Sequence, residues 1–365
     1  MSKALPLLNG FGFALLFYTE VKIMIEPFLL GTYTKKDSEG IYRVELDTEA
    51  KKLQNLTLLA KESNPTYVAE SKDGIIYAVY DQERMGGIAA YRPDGDGKYK
   101  LINKVLETGA PVCYVGFDED RQLIYGANYH KGELNTYTVL EDKGVGPATS
   151  FYHHDKTGPH PNQDAPHIHY TNLTPDGRLI VCDLGTDQVY IYDVEPNGLL
   201  STRSIYKAQP GTGPRHVVFN PNGKYVYLVG ELDCSVSVLE YKDTGDLVFV
   251  DKYYTKPDDW HEFNSAAAIR FNEKTNTLYV SNRGHDSIAV FKVTEDGRKL
   301  ELIQRIHTEG HFPRDFNIDP SGQFLVVGHQ FSDNLSLFEI SEDDGTLTLL
   351  DDTFYGPETV CVYFE

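Results

Sequence analysis

Positive charge is scarce in this chain: 34 Lys and Arg stand against 54 Asp and Glu, a net charge of −20. A phosphate backbone needs a basic footprint, so nucleic acid is not an expected partner. The excess acid reads as solvated surface, and an anionic ligand would need a local positive pocket. Four cysteines, at 113, 182, 234 and 361, form no CxxC pair, which excludes a disulfide frame or a thiolate zinc site and fits a reducing, cytoplasmic compartment. There is one tryptophan, and the Gly-His and Trp-Asp pairs of WD40 repeats are missing. No GxSxG elbow, HExxH, Walker A or complete GxGxxG occurs, so serine hydrolase, zincin and nucleotide-binding readings fall away. No run keeps helical periodicity for more than a turn or two.

What the chain does have is one phrase repeated. Gly213-Pro214-Arg215-His216 running on to Asn220-Pro221-Asn222-Gly223 is answered by Phe312-Pro313-Arg314-Asp315 running on to Asp319-Pro320-Ser321-Gly322. Ala165-Pro166-His167-Ile168-His169 with Thr174-Pro175-Asp176-Gly177 is a third copy. Weaker openers stand at Pro65, Pro111, Ala266 and Pro357, and neighbouring openers lie about 44 to 55 residues apart, a spacing of solenoids and β-propellers.

Each unit then decides for the propeller. An opener leads into a short apolar strand, an Asp-Gly or Asn-Gly type turn, and β-rich runs such as Tyr225–Val229 and the alternating Ser235–Tyr241. Four such strands make a blade, and seven openers predict an all-β, seven-bladed β-propeller. Pro27–Tyr33 and Gly40–Leu46 read as later strands of a blade that lacks its first, while Thr359–Phe364 reads as a first strand alone. Pairing them would close the ring and remove its open edges. The 25 Tyr and 18 Phe, with 41% hydrophobic residues overall, supply the core between blades.

Residues 24–365 are therefore expected to form one propeller domain. Residues 1–23 resemble a weak secretory leader, but Asn9, Gly10 and Pro6 interrupt the apolar stretch and no small-x-small cleavage site follows. They are read as an extension outside the fold, with Met24 a plausible later start; a secretory leader and a membrane or interface anchor are the lesser alternatives.

In a blade the start of the first strand and the end of the second meet at one mouth of the central channel. The channel should then collect His167 and His169, Arg215 and His216, Arg314 and Asp315 from strand-one starts. From strand-two ends it should collect Asp81, Asn128, Asp183, Glu231, Arg283 and His329 with Gln330. Arginines, imidazoles and a glutamate on one rim suit a small polyanion and proton transfer on it. Each could equally be a turn or strand-to-strand hydrogen bond, and Glu231 could be no more than a structural partner of the arginines. The histidines at 153, 154, 160, 167 and 169 invite a metal, since His167 and His169 alternate on a strand and should point the same way. The others lie on a Pro- and Gly-rich loop without Cys, and neither metal nor organic cofactor is expected.

The segment Gly158–His169, followed by Pro175-Asp176-Gly177-Arg178-Leu179 and Asp183-Leu184-Gly185-Thr186-Asp187, resembles the signature of the seven-bladed propeller lactonases. These include bacterial propeller-type 6-phosphogluconolactonases and a fungal 3-carboxy-cis,cis-muconate lactonizing enzyme. The later Gly-Pro-Arg-His and Phe-Pro-Arg-Asp phrases fit the same family, and the likeness covers roughly Pro27 to Glu365. By motif, the resemblance implies that His167, Arg215, Glu231 and Arg283 are catalytic. His169, His216, Arg314, His329 and Asn128 are the expected substrate contacts. An arginine the family carries just before its Pro-His motif is replaced here by Gln163-Asp164. The implied reaction is hydrolysis of 6-phospho-D-glucono-1,5-lactone to 6-phosphogluconate in the pentose phosphate pathway. A carboxymuconate-type cyclase, another sugar lactonase and a non-enzymatic binding propeller are the alternatives. The expected partner is a small anionic lactone, with neither nucleic acid nor membrane involved.

Overall fold

The computed structural model describes residues 25–364; the expectation for residues 1–23 lies outside the described residues. Seven four-stranded antiparallel sheets ring a central axis, with one short 3₁₀ turn at Glu295–Gly297 as the sole helical element among the described residues. Blade four shows the plan: Pro214–Phe219 lies innermost, then Tyr225–Gly230, Ser235–Tyr241 and the outer Leu247–Tyr254. The ring closes as the sequence predicts, Thr359–Phe364 serving as the inner strand of blade seven beside Ile25–Thr32, Gly40–Asp47 and Lys52–Lys61. Leu30 pairs with Val362 across that seam, and both are buried.

Burial follows position in the blade. Second strands such as Leu123–Asn128 and Tyr225–Gly230 are buried at every residue, because they face the neighbouring blade on both sides of the sheet. In the outer strand Leu200–Lys207 only Leu200 is buried, with Ser204 and Tyr206 partly covered. The interblade layers are apolar: Phe28, Leu30 and Val44 of blade seven pack with Phe324, Val326 and Leu337 of blade six.

Two backbone devices shape the channel mouth. The first is a β-bulge at the start of the inner strands, an extra residue that leaves the ladder and is turned aside. Pro214 pairs with Gly230 and His216 with Val229, so Arg215 is extra. In the same way His169 is extra between Ile168 and Tyr170, Arg314 between Pro313 and Asp315, and Val360 between Thr359 and Cys361. In blade two, Cys113 donates its N–H to the Ala127 carbonyl at 2.7 Å although Tyr114 is the partner of Ala127 in the ladder.

The second device is an aspartate at the hairpin corner of one blade that accepts an N–H from the residue two before the next blade's bulge. Asp187 takes Gly213 at 2.8 Å, Asp286 takes Phe312 at 3.0 Å and Asp333 takes Glu358 at 2.9 Å. Gly213 has φ +65°, and a Cβ there would lie 2.5 Å from Leu232 Cγ, so this corner needs glycine.

Because Leu30 is fully buried at the closing seam, Leu30→Ala should cost about 2–5 kcal/mol in urea unfolding at unchanged m-value. A cost under about 1 kcal/mol would mean that the seam contributes little to stability.

Candidate active site

The bulges empty into one cavity of about 410 Å³ on the axis, lined among others by Tyr33, Lys35, Asn64, Thr66, Asp81, Cys113, Tyr129, His169, Arg215, Glu231, Arg283 and Arg314. The lining draws on two positions of the blade. One is the bulge, which supplies Cys113, His169, Arg215, Arg314 and Val360. The other is the residue just past the register position that faces the strand before the bulge, which supplies Tyr33, Tyr129, Glu231 and Arg283.

Glu231 is the centre of charge. Its Oε2 lies 2.8 Å from Arg215 Nε and 2.9 Å from Arg283 Nη2. The Arg215 contact is an ion pair without an aligned hydrogen bond, for that buried N–H meets no acceptor in line. Arg215 also reaches His216 Nε2 at 3.3 Å, and Arg283 donates to the Ala266 carbonyl at 3.0 Å. Arg314 touches Gln330 Oε1 at 3.3 Å, and among the described residues it forms no ion pair. Tyr67 lines the cavity, and behind it Tyr114 and Tyr170 make tilted ring contacts in series that end on His216. Beside them Arg270 pairs with the buried Asp315 at 2.9 Å.

Burial alone would raise the Glu231 carboxyl, but Arg283, Arg215 and Arg314 outweigh it and hold the group below the ordinary carboxylate range. Burial, then Arg283 and Arg314, press Arg215 down to about 9, which leaves it charged at neutral pH. His169 is pushed well below its usual value by burial and by Arg215, Arg314 and Arg283, so it is a neutral imidazole, and its buried Nδ1 has no hydrogen-bond partner. His216 is depressed likewise by burial, Arg215 and His169. An ionised carboxylate, neutral imidazoles and a surplus of guanidinium, in a chain of net charge −20, are groups suited chemically to a small anion and to proton transfer on it.

The structure brings together Arg215, Glu231, Arg283, Arg314, His169 and His216, as the blade geometry predicts. Five expected residues fall outside the lining, namely His167, Asn128, Asp183, His329 and Gln330; Asp183 is buried, its Oδ1 accepting the N–H groups of His167, Gly185 and Thr186. His167 does not point with His169, because the inner strand starts at Ile168 and His169 is a bulge, which breaks the alternation. Instead the His167 ring stacks on Tyr129 at 4.2 Å, with Nδ1 2.8 Å from the Tyr129 carbonyl and Nε2 3.1 Å from Asp164. The expected substrate contacts Asn128 and His329 are corrected by one residue, since a slip of one turns a side chain to the other face of a sheet. Asn128 ties the Ala110 carbonyl to the Lys131 N–H, and His329 meets the Asn334 carbonyl at 3.0 Å; of the residues that follow them, Tyr129 lines the cavity and Gln330 meets Arg314. Tyr129 was missed by sequence reasoning although it occupies the same offset as Glu231 and Arg283, which was the available signal. Gln163, standing where an arginine was expected, braces its own loop through His160 N–H and the Leu184 carbonyl.

Comparison with known proteins adds the following. The model of the family described as lactonase, 7-bladed beta-propeller, matches residues 27–364. The chain is 41% identical over 339 residues to the 6-phosphogluconolactonase of Bacillus subtilis, covering 92% of this chain and 97% of that one. A crystal structure of a Lactobacillus plantarum protein superposes with TM-score 0.91 at 47% identity, over 94% of this chain and 100% of the other. The periplasmic gluconolactonase of Pseudomonas aeruginosa superposes with TM-score 0.88 at 27% identity, over 93% and 99% of the two chains.

The depressed histidines set a pH dependence. Their folded pKa values lie below the unfolded value near about 6.5, so the unfolded chain binds more protons and stability falls as pH drops through that range. In imidazole NMR the His169 signals should stay those of a neutral ring between about pH 7.5 and 5.5; a midpoint near about 6.5 would show that neither burial nor the arginines act on it.

Proposed function

The chain belongs to the seven-bladed β-propeller lactonases, and from that premise we propose that it hydrolyses 6-phospho-D-glucono-1,5-lactone to 6-phosphogluconate in the central channel. The observation that carries the reading is the carboxylate–arginine constellation around Glu231, with a third guanidinium, Arg314, that forms no ion pair among the described residues. Arg314 takes the phosphate, the group that distinguishes this lactone from an unphosphorylated one. Arg215 and Arg283 face the lactone carbonyl, whose oxygen becomes negative as water adds to C1.

Glu231, ionised and fixed between the two arginines, holds that water and takes its proton. The C1 bond to the ring oxygen then breaks, and the proton passes to that oxygen, which leaves as the C5 hydroxyl. A carboxylate of low pKa is a weak base but returns its proton readily, which suits a reactive ester whose alkoxide leaving group needs that proton. His169 lines the cavity as a neutral imidazole and serves as a hydrogen-bond partner of substrate or water. No covalent nucleophile is required. Burial raises the one channel thiol, Cys113, to about 11, which leaves it protonated and unreactive at neutral pH.

Four unpaired cysteines support placement in a reducing cytoplasm, and the reaction fits the oxidative pentose phosphate pathway. No helix among the described residues is long and apolar enough to cross a membrane.

The test is hydrolysis of freshly generated 6-phosphogluconolactone, corrected for the spontaneous rate. Glu231→Gln and Arg283→Ala, checked by thermal melting, should lower kcat/KM about 100-fold or more. Arg314→Ala should instead raise KM about tenfold for the phosphorylated lactone and leave glucono-1,5-lactone nearly unchanged. Wild-type rates at background would overturn the proposal.

A further inference from the structure

Phe312 stands in a backbone conformation that a bulky side chain rarely adopts. Its φ is +68°, in the left-handed region. Three other blades place a left-handed residue at the same corner: Asn64 at φ +49°, Gly213 at +65° and Glu358 at +45°. Glycine fits without cost, and the other two use their side chains there. Asn64 Oδ1 accepts the Thr34 N–H at 3.1 Å, and the Glu358 carboxylate accepts the N–H groups of Lys35 and Lys36 at 3.1 and 2.9 Å. Phenylalanine offers no such bond, so its strain needs another return.

Its ring supplies one. The Arg283 guanidinium lies 5.4 Å from the Phe312 ring centroid, within cation–π range. The backbone is clamped to match: Asp286 Oδ1 accepts both the Phe312 N–H and the Gly284 N–H at 3.0 Å, joining this corner to the residue after Arg283. Phe331, at 4.8 Å between centroids, supports the ring from a further side. We infer that Phe312 is a positioning residue, held in a left-handed corner so that its ring fixes the Arg283 guanidinium toward Glu231. This rests on the reading of Arg283 as the group that faces the lactone carbonyl. Arg283 donates Nε–H to the Ser265 carbonyl at 3.4 Å and Nη2–H to the Ala266 carbonyl at 3.0 Å, bonds that lie along the guanidinium edge and leave its face to the ring.

Phe312→Gly and Phe312→Asn both suit the left-handed backbone and remove the ring, while Phe312→Tyr keeps it. The first two should melt within about 3 °C of the wild type, since relieved strain offsets lost packing. Their kcat should fall at least about tenfold with KM within about twofold, because Arg283 acts on charge that develops only in the transition state. Phe312→Tyr should keep wild-type kcat. Wild-type kcat in both ring-less variants would overturn the inference, as would a loss confined to KM, which would make Phe312 a ligand contact. If the wild type itself fails to turn over the phosphorylated lactone, the proposed substrate is wrong, and crystal structures of the same variants decide the matter separately. Displacement of the Arg283 guanidinium supports the positioning role, and an unmoved guanidinium overturns it.

Discussion

The site depends on one backbone irregularity repeated around the ring. A regular inner strand would send its side chains alternately into the two interblade layers, and none would point cleanly along the axis. Inserting one residue at the strand start turns that residue out of the ladder and into the channel. His169, Arg215 and Arg314 all reach the cavity in this way. The corner aspartates Asp187, Asp286 and Asp333 hold the preceding residue from the neighbouring blade. The bulges at Arg215, Arg314 and Val360 are thus fixed by two blades, and the ring closes where Leu30 pairs with Val362.

With that scaffold, electrostatics gives the cavity its character. The protein as a whole is strongly acidic, yet its axis gathers Arg215, Arg283 and Arg314 in one cavity, with Glu231 paired to the first two. Burying guanidinium groups together is unfavourable, and Glu231 offsets only part of that cost. The residual positive potential is what a lactone phosphate or a tetrahedral oxyanion would neutralise. Burial and then the same field depress His169 and His216, keeping the imidazoles uncharged where another cation would be hardest to place. Binding and chemistry therefore draw on one imbalance.

Most of the fold was legible because the repeat is written in turn chemistry: Pro openers, Asn-Gly and Asp-Gly corners, and alternating Val, Ile and Tyr. Pro214-Arg215 and Pro313-Arg314 also carried their site residues openly, since both arginines follow the opener directly. What the sequence concealed was register. The third copy spends two more residues before its bulge, so the opener at Pro166 draws attention to His167 when the equivalent of Arg215 is His169. Asn128 and His329 lie one residue short of the position that Glu231 and Arg283 occupy, and in a pleated strand one residue is a change of face. The left-handed corner at Phe312 was equally hidden, because a Phe-Pro pair carries no mark of positive φ.

The most direct measurement is a crystal structure of the wild type soaked with 6-phosphogluconate, the product of the proposed reaction. The account predicts the phosphate against Arg314 and the new carboxylate between Arg215 and Arg283, with Glu231 beside C1. A channel left empty at saturating product, or product seated elsewhere on the ring, would contradict it.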